Sequence, residues 1–242
     1  MGVGRWAWAS ILPWLLQEPT ALDDIKTAIT LTSSSSYAYR VGGRFVREGV
    51  FSPPDLLTAR IDGFQSARNG AKILVKGPEG LWKTPDERLG EQVEGTPAVV
   101  ADKVTTLREA ERPHEMLSVL LADVKGAPAR AASGEYRLAY DPEKVRAYLQ
   151  KEIEKAVERK TMDKPDQIAW ETASGTLRVH IARPAGTILK FSDERSVSIG
   201  YRRGEGAVER RRYRTEMEFE LSSHGTAKVE LPDEVKVKLG IK

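Results

Sequence analysis

The side chains that could carry acid–base or metal chemistry are scattered through this chain. Its three histidines, His114, His180 and His224, are far apart and do not have the spacing of metal ligands. The carboxylates fall at predicted helix starts and on solvated helix faces, so no pair is indicated as an acid and a base. The sequence contains no Gly-x-Ser-x-Gly motif, phosphate-binding loop or protein-kinase motif. We therefore expect a protein that is not an enzyme and that requires neither a metal nor a cofactor.

Positive charge is concentrated in one predicted hairpin near the carboxyl end. Five of its arginines form what we call the basic contact surface: Arg202, Arg203, Arg210, Arg212 and Arg214. The period of two of a strand places the last three on the outer face, while Arg211 shares the phase of Met217 and Phe219. The surface is either a solvated face that discourages edge-to-edge pairing or a contact for anionic lipid headgroups or an acidic protein. Nucleic acid is disfavoured as a partner, because no aromatic stacking platform accompanies the charge.

The composition is that of a globular protein with room for a sizeable core. Hydrophobic residues make up 40% of the 242 residues and charged residues 30%, as in ordinary folded domains. The 38 basic and 35 acidic side chains nearly cancel to a net charge of +3, which supports a polyanionic partner only weakly. Cysteine is absent. Disulfides, thiolate metal sites and a lipid attached to an N-terminal cysteine are therefore excluded.

Residues 1–19 have the pattern of a targeting segment. Arg5 is the only early charge, and Trp6 to Leu16 is apolar apart from Ser10. That run is shorter than the roughly twenty residues of a membrane-spanning helix. It matches the apolar region of a secretory signal peptide, although the positive region is thin and no clear cleavage site precedes Thr20. We predict a signal peptide or N-terminal anchor and a periplasmic or otherwise extracytoplasmic location. The alternative is an amphipathic or buried N-terminal piece.

Alternation of apolar and polar residues is the main structural signal from Ile168 to Leu231. Three segments show it: Leu177, Val179 and Ile181; Val197, Ile199 and Tyr201; and Met217, Phe219 and Leu221. Turn signals stand at Ser174-Gly175, Pro184-Ala185-Gly186, Gly204-Glu205-Gly206 and His224-Gly225. A strand with one buried and one wet face requires this period, so we predict a meander of antiparallel strands.

The first half of the chain continues the strand pattern. Tyr37 to Phe51 alternates, and Gly42-Gly43 within it suggests a bulge or bend. A further strand runs through Leu57, Ala59 and Ile61, and Asn69-Gly70 is a strong hairpin signal. These features predict consecutive up-and-down strands rather than parallel strands joined by helices.

Helices interrupt the strands at four places. We predict them from Thr20 to Leu31, from Ala101 to Ala110, from Pro113 to Gly126 and from Asp141 to about Lys160. Lys236 to Lys242 reads as a loosely attached tail. Residues 20–242 therefore form one α+β domain. We expect a single curved antiparallel sheet, an incomplete barrel of about 9–11 strands, with helices on its concave face.

Large side chains recur where this sheet would face its helices. The candidates for lining an apolar ligand cavity are Tyr37, Tyr39, Trp82, Met116, Leu117, Leu120, Leu121, Tyr136, Leu149, Trp170, Ile199, Tyr201, Met217 and Phe219. Aromatic and leucine side chains suit an acyl chain, but they also pack as ordinary core. Spacing does not separate these two interpretations.

The order of these elements resembles a known family. The segments that carry the resemblance are Tyr37-Ala-Tyr-Arg-Val-Gly-Gly-Arg-Phe45, Gly80-Leu-Trp82, the leucine-rich stretch Pro113–Leu121, and the Tyr-x-Leu-x-Tyr-Asp-Pro step that starts at Tyr136. The pattern, over roughly residues 20–231, is similar to the LolA/LolB-type fold of bacterial extracytoplasmic lipoprotein carriers, and also to LppX/LprG-type lipid-binding lipoproteins. The resemblance implies acyl chains held noncovalently between a curved sheet and a helical lid, without a metal. The acylated cysteine of lipid-anchored members is missing here, and no position matches a lid arginine.

Two functions follow as hypotheses. The first is an extracytoplasmic carrier or sensor that binds a lipid or the acyl chain of a lipoprotein between sheet and helices. The second is an envelope protein-interaction or regulatory module with a filled core, which uses the basic contact surface. The expected partners are a lipid or an acylated protein, with envelope proteins or an anionic membrane surface as further candidates.

Overall fold

One antiparallel sheet of ten strands organises the chain, in the order β5-β4-β3-β2-β1-β10-β9-β8-β7-β6. The computed structural model describes residues 20–43, 45–78, 80–90, 98–126, 129–130, 134–158, 167–202 and 208–241. The strands are β1 (Tyr37–Gly42), β2 (Arg47–Ser52), β3 (Leu56–Ile61), β4 (Phe64–Asn69), β5 (Lys72–Lys76), β6 (Ala129–Arg130), β7 (Glu135–Ala139), β8 (Gln167–Ile181), β9 (Ile188–Arg202) and β10 (Glu209–Ser222). The sheet is curved and open, with β5 and β6 at its two ends. The predicted α+β fold class is therefore confirmed.

Six helices occur in the described part of the chain. They are α1 (Ala21–Ser33), α2 (Pro85–Gly90), α3 (Ala98–Arg108), α4 (Pro113–Leu121), α5 (Pro142–Glu158) and α6 (Asp233–Leu239). The start of α1 is a capping box: the Asp23 amide donates to the Thr20 hydroxyl, and the Thr20 amide donates to the Asp23 carboxylate at 3.2 Å. Proline begins α4 and α5, where its missing N–H is not needed. None of the described helices is long and apolar enough to cross a membrane.

The main core lies between the concave face of the sheet and four helices. Inward residues of the strands, such as Tyr37, Val179 and Phe219, are almost fully buried. They pack against Ile25 of α1 and Leu149 of α5, and against buried residues of α3 and α4, in one continuous cluster. The alternation that the sequence shows is thus the alternation between this core and solvent.

Helix α6 lies on the opposite, convex face. Its Val235 and Leu239 form a second, smaller cluster with Ala67, Leu74 and Trp82. Ala67 and Leu74 are register partners on β4 and β5, out of phase with the core-facing Val75. Val235 and Leu239 are at most 2% exposed. The prediction of a loosely attached tail is therefore wrong, because this short helix covers an apolar patch that alternation left on the outer face.

The predicted turn and bend signals have different outcomes. The Gly42-Gly43 pair is a bend between two strands rather than a bulge within one, since β1 ends at Gly42 and β2 begins at Arg47. Ser174-Gly175 is not a turn, since β8 passes through it and remains paired with β9 at Ser196 and Arg195. The turns at 184–186 and 224–225 are where the sequence predicts them. The Gly204-Glu205-Gly206 signal lies outside the described residues.

Candidate functional site

The concave interface brings together most of the predicted cavity residues. Buried in it are Tyr37, Tyr39, Leu117, Leu120, Tyr136, Leu149, Ile199 and Phe219, and packed half-buried against it are Met116, Leu121, Trp170 and Met217. Trp82 is an exception, because it lies in the cluster under α6 on the convex face. Its assignment to the concave side is wrong. The side chain of Tyr201 lies outside the described part.

Side chains fill most of the space between the sheet and its helices. The rings of Phe191 and Phe219 stack with centroids 4.2 Å apart, and those of Tyr37 and Phe51 lie 5.1 Å apart. These separations fall in the range of favourable aromatic packing. Ordinary core packing therefore accounts for most of the predicted cavity residues.

A gap remains where α3 approaches the ends of β1, β2 and β10. Its volume is about 280 Å3, and Val41, Phe45 and Met217 provide its apolar lining. Thr105 and Thr106 of α3 also line it, together with the charged Arg47, Asp102, Glu109 and Glu216. A typical ligand pocket measures about 300–1,000 Å3. The gap is therefore slightly too small to hold a sizeable ligand unless α3 or its neighbours shift.

A buried arginine is the main polar feature of the concave side. Arg195 of β9 is 2% exposed, and its Nε lies 3.0 Å from the Asp193 carboxylate. Its Nη1 lies 3.1 Å from Asp123, just beyond α4. The guanidinium sits 4.4 Å from the ring centroid of Tyr140 and 4.3 Å from that of Tyr148. Such pairing and cation–π contact compensate a charge that burial alone would make very costly.

The sequence contains a signal for this cluster, although the cluster was not among the predicted site residues. Asp193 and Arg195 share the inward phase of Val197 and Ile199, so alternation alone places both charges against the core. Two opposite charges in an apolar phase indicate a buried ion pair. Their aromatic neighbours come from distant parts of the chain, and burial raises the pKa of Tyr140, with the charge of Asp193 adding to the effect.

Two of the separated histidines meet at one tyrosine. The Tyr37 hydroxyl and the Nδ1 of His114 are hydrogen-bonded at 2.6 Å, and the His224 ring centroid lies 5.8 Å from that of Tyr37. Burial lowers the pKa of both histidines. His180 is exposed on β8. The described residues contain no group of three or more side chains arranged to hold a metal ion.

The basic contact surface lies on the convex face of β10. Arg210, Arg212 and Arg214 are exposed there, as the alternation predicts. Arg210 pairs with Glu171 at 2.9 Å and Arg214 with Glu194 at 3.2 Å, while Arg212 donates to the Ser196 hydroxyl. Neighbouring acids thus neutralise part of the charge. The side chain of Arg202 and all of Arg203 lie outside the described residues.

A depression larger than this gap lies on the convex face. This convex groove measures about 660 Å3 and runs over β10 and β1 to β5, next to Trp82 and residues 230–232. No cavity was predicted on that face, because the sequence does not show that the chain after β10 crosses back over the sheet.

No family model matches the sequence, and no curated protein is significantly similar to it.

Proposed function

We propose that this protein is an extracytoplasmic carrier or sensor that holds an apolar ligand noncovalently between its curved sheet and helical layer. The observation that supports this most directly is the continuous apolar interface, which opens at one end into the gap between α3 and Met217. The ligand class is a lipid or the acyl chain of a modified protein. The resemblance of the order of elements to LolA/LolB-type carriers supports the same arrangement.

Ligand uptake requires the helices to move away from the sheet. Helix α4 packs chiefly on α1. Its polar links to the sheet include the bond between Tyr37 and His114. The pair of Arg112 with Asp55 adds a link just before the helix, and the pair of Asp123 with Arg195 adds one just beyond its end. An acyl chain that replaces the apolar contacts between the layers gains about 0.8 kcal/mol for each methylene it buries. Ten methylenes would thus supply about 8 kcal/mol before the costs of opening and association.

The decisive experiment is native mass spectrometry of the purified protein, followed by extraction of bound lipid. Thr106→Trp fills the gap beside α3 and should remove the bound mass. Val99→Trp adds the same side chain at an exposed position of the same helix and should leave the ligand in place. An unmodified protein that is empty and that binds no added fatty acid would refute the proposal.

A second candidate, the protein-interaction module, is favoured by the filled concave side. In that case the outward arginines of β10 form the contact with an acidic envelope protein. Charge reversal at Arg210 and Arg212 should then abolish capture of the partner and leave any bound lipid unchanged. Loss of lipid with unchanged capture would favour the carrier.

A further inference from the structure

We infer that the convex groove is a second binding site, independent of the proposed carrier function, for a single-chain amphiphile with an anionic head. Its volume of about 660 Å3 lies within the range of about 300–1,000 Å3 that is typical of small-molecule pockets. It is more than twice the volume of the gap on the concave side.

The shape of the groove suits an extended chain. It passes over six neighbouring strands, from β10 to β5. Adjacent strands lie about 4.8 Å apart, so the groove is about 24 Å long. A groove of this length and volume suits a single extended chain better than a compact ring system.

Small residues in register form an apolar track along the groove. Ala38 lies between Ser222 and Val50 in the strand register, and Val50 in turn lies opposite Thr58. The Thr58 hydroxyl is hydrogen-bonded to the backbone N–H and C=O of Val50. Its polar atom is therefore satisfied by the sheet. This track can contact methylene groups without leaving a polar group unpaired.

A row of mostly charged residues runs beside the track, on the same face of the sheet and two positions away along each strand. Its members, in order across the sheet, are Glu220, Arg40, Glu48, Arg60, Gln65 and Lys76. The two glutamates contact the two arginines, at 2.7 Å between Arg60 and Glu48 and at 3.8 Å on both sides of Arg40. Lys76, at the Trp82 end, has no acidic partner among the described residues.

Lys76 determines the charge of the head group. It is half-buried, whereas Glu230 of the crossing segment is exposed and more strongly screened by water. A carboxylate or phosphate placed at Lys76 would complete the row with a charge-assisted hydrogen bond. Trp82 is 7% exposed and lines the groove close by. It offers an aromatic surface to the first methylenes of the chain.

The crossing segment, residues 228–231 between β10 and α6, could give the hydrocarbon chain of the ligand access to the groove by moving. Residues 228–231 make no hydrogen bond to the sheet in the described structure. Leu231 packs against the cluster under α6, which holds one end of the segment in place. The segment can therefore lift from the sheet without breaking a strand pairing.

Isothermal titration calorimetry with laurate below its micelle concentration tests this site on the full chain. Ala38→Trp blocks the track and should weaken laurate binding more than tenfold. Lys76→Glu should weaken it about tenfold, whereas Lys72→Glu, on the same strand and face but outside the groove, should not change it. Dodecyltrimethylammonium, with the same chain and a cationic head, should bind more weakly than laurate to the unmodified protein.

The Thr106→Trp variant, which fills the gap on the concave side, distinguishes this site from the carrier site. Thr106→Trp should leave laurate affinity at the convex groove unchanged. The inference is overturned if laurate does not bind, or if the Ala38→Trp and Lys76→Glu variants bind it as tightly as the unmodified protein does. It is also overturned if binding is lost only in Thr106→Trp. If Ala38→Trp does not fold, Lys76→Glu and its Lys72→Glu control decide the matter, since both positions lie on the surface of β5.

Discussion

Arg195 shows how one residue links three elements of this fold. It reaches from β9 to Asp123 beyond α4 and packs against Tyr148 of α5. All of these contacts lie on the concave side, where water is excluded from the guanidinium. A charge in such a place is tolerated only when its partners are present. The residue therefore fixes the position of the helical layer, at the expense of some stability that apolar side chains in place of the whole ion pair would have provided.

Replacement of Arg195 by methionine should therefore be strongly destabilising. The change leaves the Asp193 carboxylate buried without its partner, and breaking a buried pair in this way costs about 3–5 kcal/mol. Arg214→Met removes an arginine that is 52% exposed and should cost at most about 1 kcal/mol. Urea unfolding of the two variants gives both values. Equal free energies of unfolding would show that Arg195 does not act as a buried, paired charge.

His114 should make stability depend on pH below neutrality. Burial lowers its pKa, with the charge of Glu115 opposing and that of Arg112 reinforcing the effect. The folded state therefore keeps the ring neutral, while the unfolded chain titrates near pH 6.5. The contribution of the neutral His114 ring to the free energy of unfolding is fully present above about pH 6.5. It is lost, by up to about 1.4 kcal/mol per pH unit, as the pH drops towards the lower pKa of the folded state. His224 acts in the same direction.

The matched variants for this prediction are His114→Gln and His180→Gln. Urea unfolding at pH 7.5 and pH 5.0 should show a smaller loss of stability in His114→Gln than in the unmodified protein. His180→Gln, on the exposed face of β8, should retain the full loss. An unchanged pH dependence in His114→Gln would contradict the assignment.

At the scale of elements, β10 pairs with β9 along most of its length but with β1 over only part of it. β1 pairs only with residues 218–222 of β10, so the half from Glu209 to Met217 has one edge without a strand partner in the described structure. The arginine run occupies this half. Charged side chains on an exposed edge prevent it from pairing with another chain. This location favours the solvated, protective interpretation of the run without excluding a contact role.

Removal of the arginines should expose the edge to self-association. Arg210 and Arg212 changed together to threonine lose charge and gain β propensity, and light scattering should then show dimers or larger species that grow with concentration. The control is the same double change at Arg40 and Arg60, whose strands are paired on both sides. Association of both double variants to the same extent would attribute the effect to net charge rather than to the edge.

Gly175 illustrates what local patterns can and cannot predict. Ser174-Gly175 has the composition of a turn, yet it lies inside β8. A Cβ at Gly175 would come within 2.6 Å of the Glu194 carbonyl oxygen and 2.8 Å of the Tyr140 ring. The glycine is required by a close approach of Tyr140, a residue 35 positions earlier in the chain. Alternation predicted the strands on either side correctly because it depends only on neighbouring residues.

For the whole molecule, the sheet could be predicted and the distribution of its cavities could not. Alternation and turn residues specify consecutive antiparallel strands, and the cap at Thr20 specifies the first helix. Which face a segment covers depends on the path of the chain, as Trp82 and α6 show. The same limit applies to the ligand site, since the pattern of an apolar wall is the same whether side chains or a ligand fill the space beside it.

The closed concave side leads to a prediction that separates the two candidate functions. A carrier must displace its own side chains before it accepts a ligand, so its apparent affinity is reduced by the small fraction of open molecules.

Leu120→Ala removes a 4% exposed side chain from α4 and should cost about 2–5 kcal/mol of stability. In a carrier it should nevertheless bind palmitate more tightly, because the vacated space replaces part of the opening. Leu239→Ala removes a 2% exposed side chain from α6 on the convex face and should lose similar stability without a gain in affinity. Calorimetry in the Ala38→Trp background, which blocks the convex groove, measures the concave site alone. A protein-interaction module would show no palmitate binding in either variant, and equal gains in both would point to nonspecific binding by a loosened core.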